Sequence, residues 1–145
     1  MPTNNASLVI SIAAAVVSAA SWWVNLRRSK ADAVFKIIDL MERSRPARRV
    51  VYTIQSKELS QWSEAEKCAA DEVARAFDIM GVLQAEGFAP ESFFKRFYAV
   101  SLHRCWMICK PLIERDRRER NQPMHLRSFE LAASRAIKLR PDAAV

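Results

Sequence analysis

The chain has 145 residues, with 23 Lys and Arg against 16 Asp and Glu and a formal net charge of +7. That length suffices for one compact domain with a short appendage and excludes two full domains. Its 2 Gly are too few for a fold built on tight turns and hairpins. It contains no Gly-rich phosphate loop, serine nucleophile elbow, zinc-protease helix motif or dinucleotide fingerprint, so most familiar enzyme classes lose support.

No charged side chain occurs before Arg27. Ala6 to Leu26 is an uncharged stretch long enough to cross a bilayer as a helix. It ends in Trp22 and Trp23, the aromatic pair expected at a membrane interface, followed by Arg27, Arg28 and Lys30. Met1 to Asn5 contain no Lys or Arg, so the charge asymmetry predicts an N-terminus outside and the rest of the chain in the cytoplasm. A signal peptide cleaved near Val17-Ser18-Ala19 is the rival reading. It lacks the basic n-region, and the cations follow the apolar stretch instead of preceding it. A buried helix of a soluble domain is the second rival, because the segment is rich in Ala and Ser. Ser7, Ser11, Ala15 and Ala19 place a small residue at every fourth position, a pattern that lets helices approach closely in lipid.

Beyond this anchor, Val34, Ile37, Ile38 and Met41 continue the helix to about Arg43, and Pro46 ends it. Ser44 and Pro46 suit the cap and first turn of a second helix through Val50, Val51 and Ile54. Ser63-Glu64-Ala65-Glu66 reads as a capping box. The helix it opens carries Ala69, Val73, Ala76, Phe77, Met80 and Leu83 on one stripe, with Gly87 as its stop. A further helix is expected from Pro90 through Phe94, Phe97, Tyr98, Cys105, Ile108 and Leu112, kinked at Pro111. Asn121-Gln122-Pro123 breaks the chain again, and Leu126, Phe129, Ala133 and Ile137 mark a last helix. The expected fold is all-α: an N-terminal transmembrane helix followed by a four- or five-helix bundle. The expected division is 1–30 as anchor and juxtamembrane basic segment, 31–140 as cytoplasmic domain and 141–145 as tail.

Several short segments resemble an uncharacterised bacterial family of small proteins with one N-terminal transmembrane helix and a helical cytoplasmic domain of unknown function. They are Arg48-Arg49-Val50-Val51-Tyr52, Trp62-Ser63-Glu64, Phe77-Asp78 with Gly81, then Trp106, Pro111 and Arg115, and Phe129-Glu130-Leu131-Ala132. The resemblance implies a shape and a place in the bacterial inner membrane, and no activity.

Arg120-Asn121-Gln122-Pro123-Met124-His125 resembles the Arg-Asn-x-x-x-His signature of the HEPN ribonuclease bundles. That resemblance implies cleavage of RNA through its 2′-hydroxyl, with His125 as acid or base, Arg120 on the phosphate and Asn121 positioning. Against it, Arg is frequent in this chain, and Pro123 falls where the family's helix has begun. His103, Cys105 and Cys109 fall short of a four-ligand zinc site, since Cys68 is on another helix without a paired ligand. Three cysteines in no paired framework read as reduced thiols, and neither metal nor cofactor is implied. Two arginine clusters flank the breaks: Arg43, Arg45, Arg48 and Arg49, then Arg115, Arg117, Arg118 and Arg120. Trp22, Trp23, Arg27, Arg28 and Lys30 suit anionic lipid headgroups, and topology alone accounts for much of the positive charge, so nucleic acid is the less favoured partner. The favoured reading is a non-enzymatic, self-associating, membrane-anchored helical module; the alternative is a membrane-tethered HEPN-like ribonuclease or immunity effector.

Overall fold

The computed structural model describes residues 3–141, with the side chains of residues 3–10, 12 and 13 outside the described set. Among the described residues, all regular structure is helical. The elements are α1 (Thr3–Arg43), α2 (Arg45–Thr53), a 3₁₀ turn at Leu59–Gln61, α3 (Glu64–Ala85), α4 (Glu91–Phe97), α5 (Ala99–Glu119) and α6 (Arg127–Leu139).

α1 is one continuous helix of 41 residues. From Ala14 to Asp32 every side chain is exposed, and Ala33 is the first buried one. From there Ile37 and Met41 enter the core, whereas Ile38, placed by periodicity on the same stripe, stays exposed. Among the described residues no helix is long and apolar enough to cross a membrane. Much of the expected anchor span, 6–26, falls on side chains outside the described set, as does the Ser7 end of its small-residue face. The tail expected at 141–145 is described only at Pro141.

α2 begins as its sequence requires, with Pro46 in its first turn. The Ser44 hydroxyl, expected to cap α2, instead donates backward to the Met41 carbonyl at 3.2 Å. The reason is local: Ser44 keeps helical dihedrals, so its side chain faces the end of α1. Ser63 and Glu66 form the reciprocal capping box at α3. Gly87, at φ +72°, closes α3, with Phe88 N–H donating to the Leu83 carbonyl and Gly87 N–H to the Gln84 carbonyl. This is the Schellman arrangement, which needs a residue tolerant of left-handed backbone.

The helix expected from Pro90 to Leu112 is two helices, broken at Tyr98 (φ −126°, ψ −13°). No Gly or Pro marks the break. Packing decides it: the turn lets Phe94 enter the core from α4 while Leu102, Cys105 and Cys109 enter it from α5. Phe97, expected on the buried stripe, is consequently 61% exposed. α5 continues through Pro111 to Glu119 with the proline on its exposed side, where water can satisfy the carbonyl that the missing N–H leaves free.

The centre of the fold is the junction of α3, α5 and α6. Phe77 and Phe129 stack with centroids 5.3 Å apart, and Trp106 meets Phe129 edge-on at 5.3 Å. Such pairs contribute about 0.5–1.5 kcal/mol each beyond burial. Gly81 allows this approach, because a Cβ there would lie 2.5 Å from the Ser128 carbonyl oxygen. α6 starts at Leu126 in left-handed conformation without a side-chain cap of its own. Asp78, one helix away, accepts the Phe129 N–H at 2.9 Å and so supplies the missing acceptor and a negative charge at the helix N-terminus.

Candidate functional site

The two arginine clusters of the sequence are different objects in the fold. Around α5 and α6 the guanidinium groups of Arg115 and Arg117 serve structure, while Arg118 is exposed. Arg115 bonds Asp116 at 3.0 Å and lies 3.7 Å from Glu119. Arg117 donates to the His125 carbonyl at 2.9 Å and to Glu130 at 3.0 Å, tying the end of α5 to the turn before α6. Burial alone would raise the Glu130 pKa, but Arg127 and Arg117 hold its carboxyl below the ordinary value.

Arg120 ends α5 as a side chain 4.0 Å from Asp116, Asn121 is exposed in left-handed conformation, and the buried Nε2 of the half-buried His125 meets no hydrogen-bond partner. Among the described residues no hydrogen bond or ion pair joins Arg120 to His125. None of the described clefts is lined by either side chain. Asn121 and Leu126 both adopt positive φ, so the Asn-Gln-Pro segment is a turn and not the opening of a helix.

The cluster at the first break is arranged otherwise. Arg45, Arg48, Arg49 and Tyr52 recur at helical spacing on one side of α2. They line an open cleft of about 410 Å³ with Glu42 from α1, Phe97 and Tyr98 from the α4–α5 break, and Ser101 from the first turn of α5. Arg43 and Arg45 have carboxylate partners, Asp39 and Glu42, each at 2.9 Å. Arg48 is held by uncharged groups, donating to the Met41 carbonyl at 2.8 Å and approaching the Met41 sulfur at 3.5 Å. Among the described residues neither Arg48 nor Arg49 makes an ion pair.

The cleft floor is a hydroxyl pair, Tyr52 Oη to Ser101 Oγ at 2.7 Å. Burial pushes the Tyr52 phenol above its ordinary pKa, with the nearby Cys105 adding to the shift, so it is a neutral hydrogen-bonding group. Arg104 lies over the Tyr52 ring at 4.7 Å. Behind it, burial raises the Cys105 thiol to about 11 and the Cys109 thiol higher still, which leaves both protonated and poorly nucleophilic. Among the described residues no group of three His, Cys, Asp or Glu could hold a metal ion.

Sequence reasoning noted the arginines of α2 but missed this cleft. The spacing of Arg45, Arg48, Arg49 and Tyr52 was a readable signal. Tyr98 and Ser101, from a helix break that no residue type announces, were not.

The predicted interfacial group lies on the exposed arm of α1. Trp22 and Trp23 are exposed, Arg27 stacks over the Trp23 ring at 3.7 Å, and Arg28 and Lys30 are exposed within the next turn. Ser11, Ala15 and Ala19 of the small-residue face are exposed as well.

The model of a family described as a domain of unknown function (DUF4760) matches residues 8–136. The match takes in much of the apolar part of α1 together with α2 to α5 and most of α6. No curated protein and no solved structure matches.

Proposed function

The chain belongs to the DUF4760 family, and from that premise we propose that it is a membrane-tethered helical binding module. α1 inserts in the bilayer, and the α2–α6 domain sits on the cytoplasmic face. The observation that carries this reading is the arm itself. Between Ala14 and Asp32 every side chain is exposed, and Val16, Val17, Trp22, Trp23, Val24 and Leu26 lie on it. An apolar surface spread around a helix, rather than along one stripe, has no place to pack within a single domain. A bilayer covers all sides of such a helix, and Trp22, Trp23, Arg27, Arg28 and Lys30 then fall at the interface, where aromatic rings and anionic headgroups favour them.

Small side chains at Ser11, Ala15 and Ala19 would let two such helices approach in lipid, making the module a homo-oligomer. Expressed at full length, the protein should resist carbonate extraction from membranes, and a C-terminal reporter should show cytoplasmic activity. Extraction into the soluble fraction, or a periplasmic reporter signal, would sink the tether. Replacing Ser11 and Ala15 together with Leu should lower the oligomer in detergent; an oligomer that survives intact would place its contacts elsewhere.

A second reading, RNA cleavage by Arg120 and His125 with Asn121 positioning, rests on the sequence resemblance alone, since the Nε2 of His125 is buried. Cleavage of labelled RNA by the purified full-length chain, lost in His125→Ala, would carry it; no cleavage would end it.

A further inference from the structure

We propose that the cleft between α2 and the α4–α5 break binds a soluble phosphomonoester carrying a flat ring, of the nucleoside monophosphate class. The phosphate would take the place of the missing counter-charge. Three guanidinium groups line the cleft against one carboxylate, and Arg48 and Arg49 have no acidic partner. Arg48 is half-buried and fixed through Nη2 and Nη1 by the Met41 carbonyl and sulfur, so its guanidinium is already oriented, with its other N–H groups left to donate. A fixed guanidinium recognises phosphate in bidentate fashion better than a mobile ammonium. The Tyr52–Ser101 hydroxyl pair and the first turn of α5, lined at Ser101, add neutral donors on the same wall.

The ring is assigned by the other wall. Phe97 is 61% exposed in a chain that buries Phe77, Phe94 and Phe129. It is supported from behind by Phe93, at 5.4 Å between centroids, and Phe93 also holds Tyr98 at 5.5 Å. An exposed aromatic braced by a second ring and lining the same cleft as unpaired arginines offers a stacking surface beside a phosphate site. Among the described residues the Tyr98 hydroxyl makes no hydrogen bond, which leaves it free to bond a ligand. A cleft of about 410 Å³ lies within the roughly 300–1,000 Å³ usual for small-molecule sites.

The choice of a soluble ligand over a lipid headgroup rests on the membrane reading above. Leu26 to Glu42 is about sixteen residues of continuous helix, which at ~1.5 Å per residue sets the cleft about 24 Å along α1 from the end of the apolar span. A headgroup of the same bilayer cannot reach that far along an upright α1; Arg27, Arg28 and Lys30 are the residues within its range.

The test uses the full chain and four probes: AMP, inorganic phosphate, an oligouridylate, and nanodiscs of phosphatidylcholine with or without phosphatidylglycerol. Calorimetry at low salt should show saturable AMP binding. Arg49→Glu should weaken AMP and inorganic phosphate at least tenfold. Phe97→Ala should weaken AMP at least fivefold and leave inorganic phosphate unchanged. Arg48→Lys, which keeps the charge and loses the fork, should weaken both. Both Arg49 and Phe97 are exposed, so their variants should fold, and an unchanged helical signal would check this. AMP affinity should be the same in both kinds of nanodisc.

Absence of AMP binding, or AMP binding unaffected by Arg49→Glu and Phe97→Ala, would overturn the proposal. So would a tenfold loss of AMP affinity in phosphatidylglycerol discs, because a headgroup would then occupy the cleft. An oligouridylate bound more than tenfold tighter than AMP would overturn it in favour of single-stranded RNA. Insertion into the nanodisc is read separately by co-elution. A chain that fails to insert therefore sinks the tether, while the AMP titration in detergent still judges the cleft.

Discussion

Gly81→Ala is a sharp test of how the domain is held together, because two effects of opposite sign meet at one atom. Inside α3, one turn before its C-terminal end, an alanine should stabilise the helix by about 0.5–1 kcal/mol, through the smaller backbone entropy lost on folding. The added methyl group, however, would stand 2.5 Å from the Ser128 carbonyl oxygen, 2.9 Å from its carbon and 3.3 Å from the Ala132 Cβ. The first two are backbone atoms of α6 and cannot rotate away. Restoring a contact of ~3.5 Å needs about 1 Å of separation between α3 and α6, and overpacking of this kind costs roughly 1–3 kcal/mol. The same displacement stretches the 2.9 Å bond from Phe129 N–H to Asp78, a cap worth about 1 kcal/mol. The steric cost and cap loss exceed the helix gain, leaving a net destabilisation of about 1–3 kcal/mol. Thermal unfolding of the full chain in detergent should show a midpoint lowered by roughly 4–12 °C. A variant as stable as the parent, or more stable, would refute the close approach of α3 and α6 and with it the packing account of α6.

Phe129→Ala should destabilise by about 3–5 kcal/mol, because the side chain is fully buried between Phe77 and Trp106; an unchanged chemical-denaturation midpoint would refute that placement. Alkylation at neutral pH should modify the exposed Cys68 in the native protein. Cys105 and Cys109, held protonated by burial, should react only after unfolding, a difference that mass spectrometry of the labelled peptides reads directly. Glu130 has a folded pKa below its ordinary 4.5, so its pairing stabilises the fold above that value and the contribution disappears as pH falls through the lowered one. Glu130→Gln should therefore flatten the acid limb of the stability curve below about pH 4.5, and parallel curves for variant and parent would contradict the pairing with Arg117 and Arg127.

Helix boundaries were legible wherever a residue's own chemistry imposes them. The capping box at Ser63 and Glu66, Gly87 after α3, and the end of α1 at Arg43 before Pro46 all follow from local sterics and local hydrogen bonds. The core stripe of α3 was legible too, since Val73, Ala76, Phe77 and Met80 keep the 3.6-residue period and are buried. The break at Tyr98 was not, because no intrinsic preference demands it. The clash of two helical segments seeking different partners does, and that is a property of the assembled domain. The interfacial group on α1 could be named from composition, whereas the cleft could be read only in part, through the period of Arg45, Arg48, Arg49 and Tyr52.

The sequence by itself determined that the chain is all helical, where most helices start and stop, and that one end is uncharged and flanked by Trp and Arg. These are matters of local propensity, capping and composition, acting over a few residues. Arg115 and Arg120 find Asp116 and Glu119 at spacings the sequence displays, but only the tertiary structure decided the partner of Arg117 and the surroundings of Arg48 and Arg49. Arg115, Arg117 and Arg120 read in sequence like Arg45, Arg48 and Arg49. In the fold the first group meets Asp116, Glu119 and Glu130, while Arg48 and Arg49 face a cleft lined by hydroxyls and aromatic rings. The physical reason is that charge pairing acts over a few ångströms. For Arg117 and Glu130 that closeness depends on how α5 and α6 dock, and for Arg48 and Arg49 the surroundings depend on how α2 meets the α4–α5 break, neither of which the spacing of the charges shows.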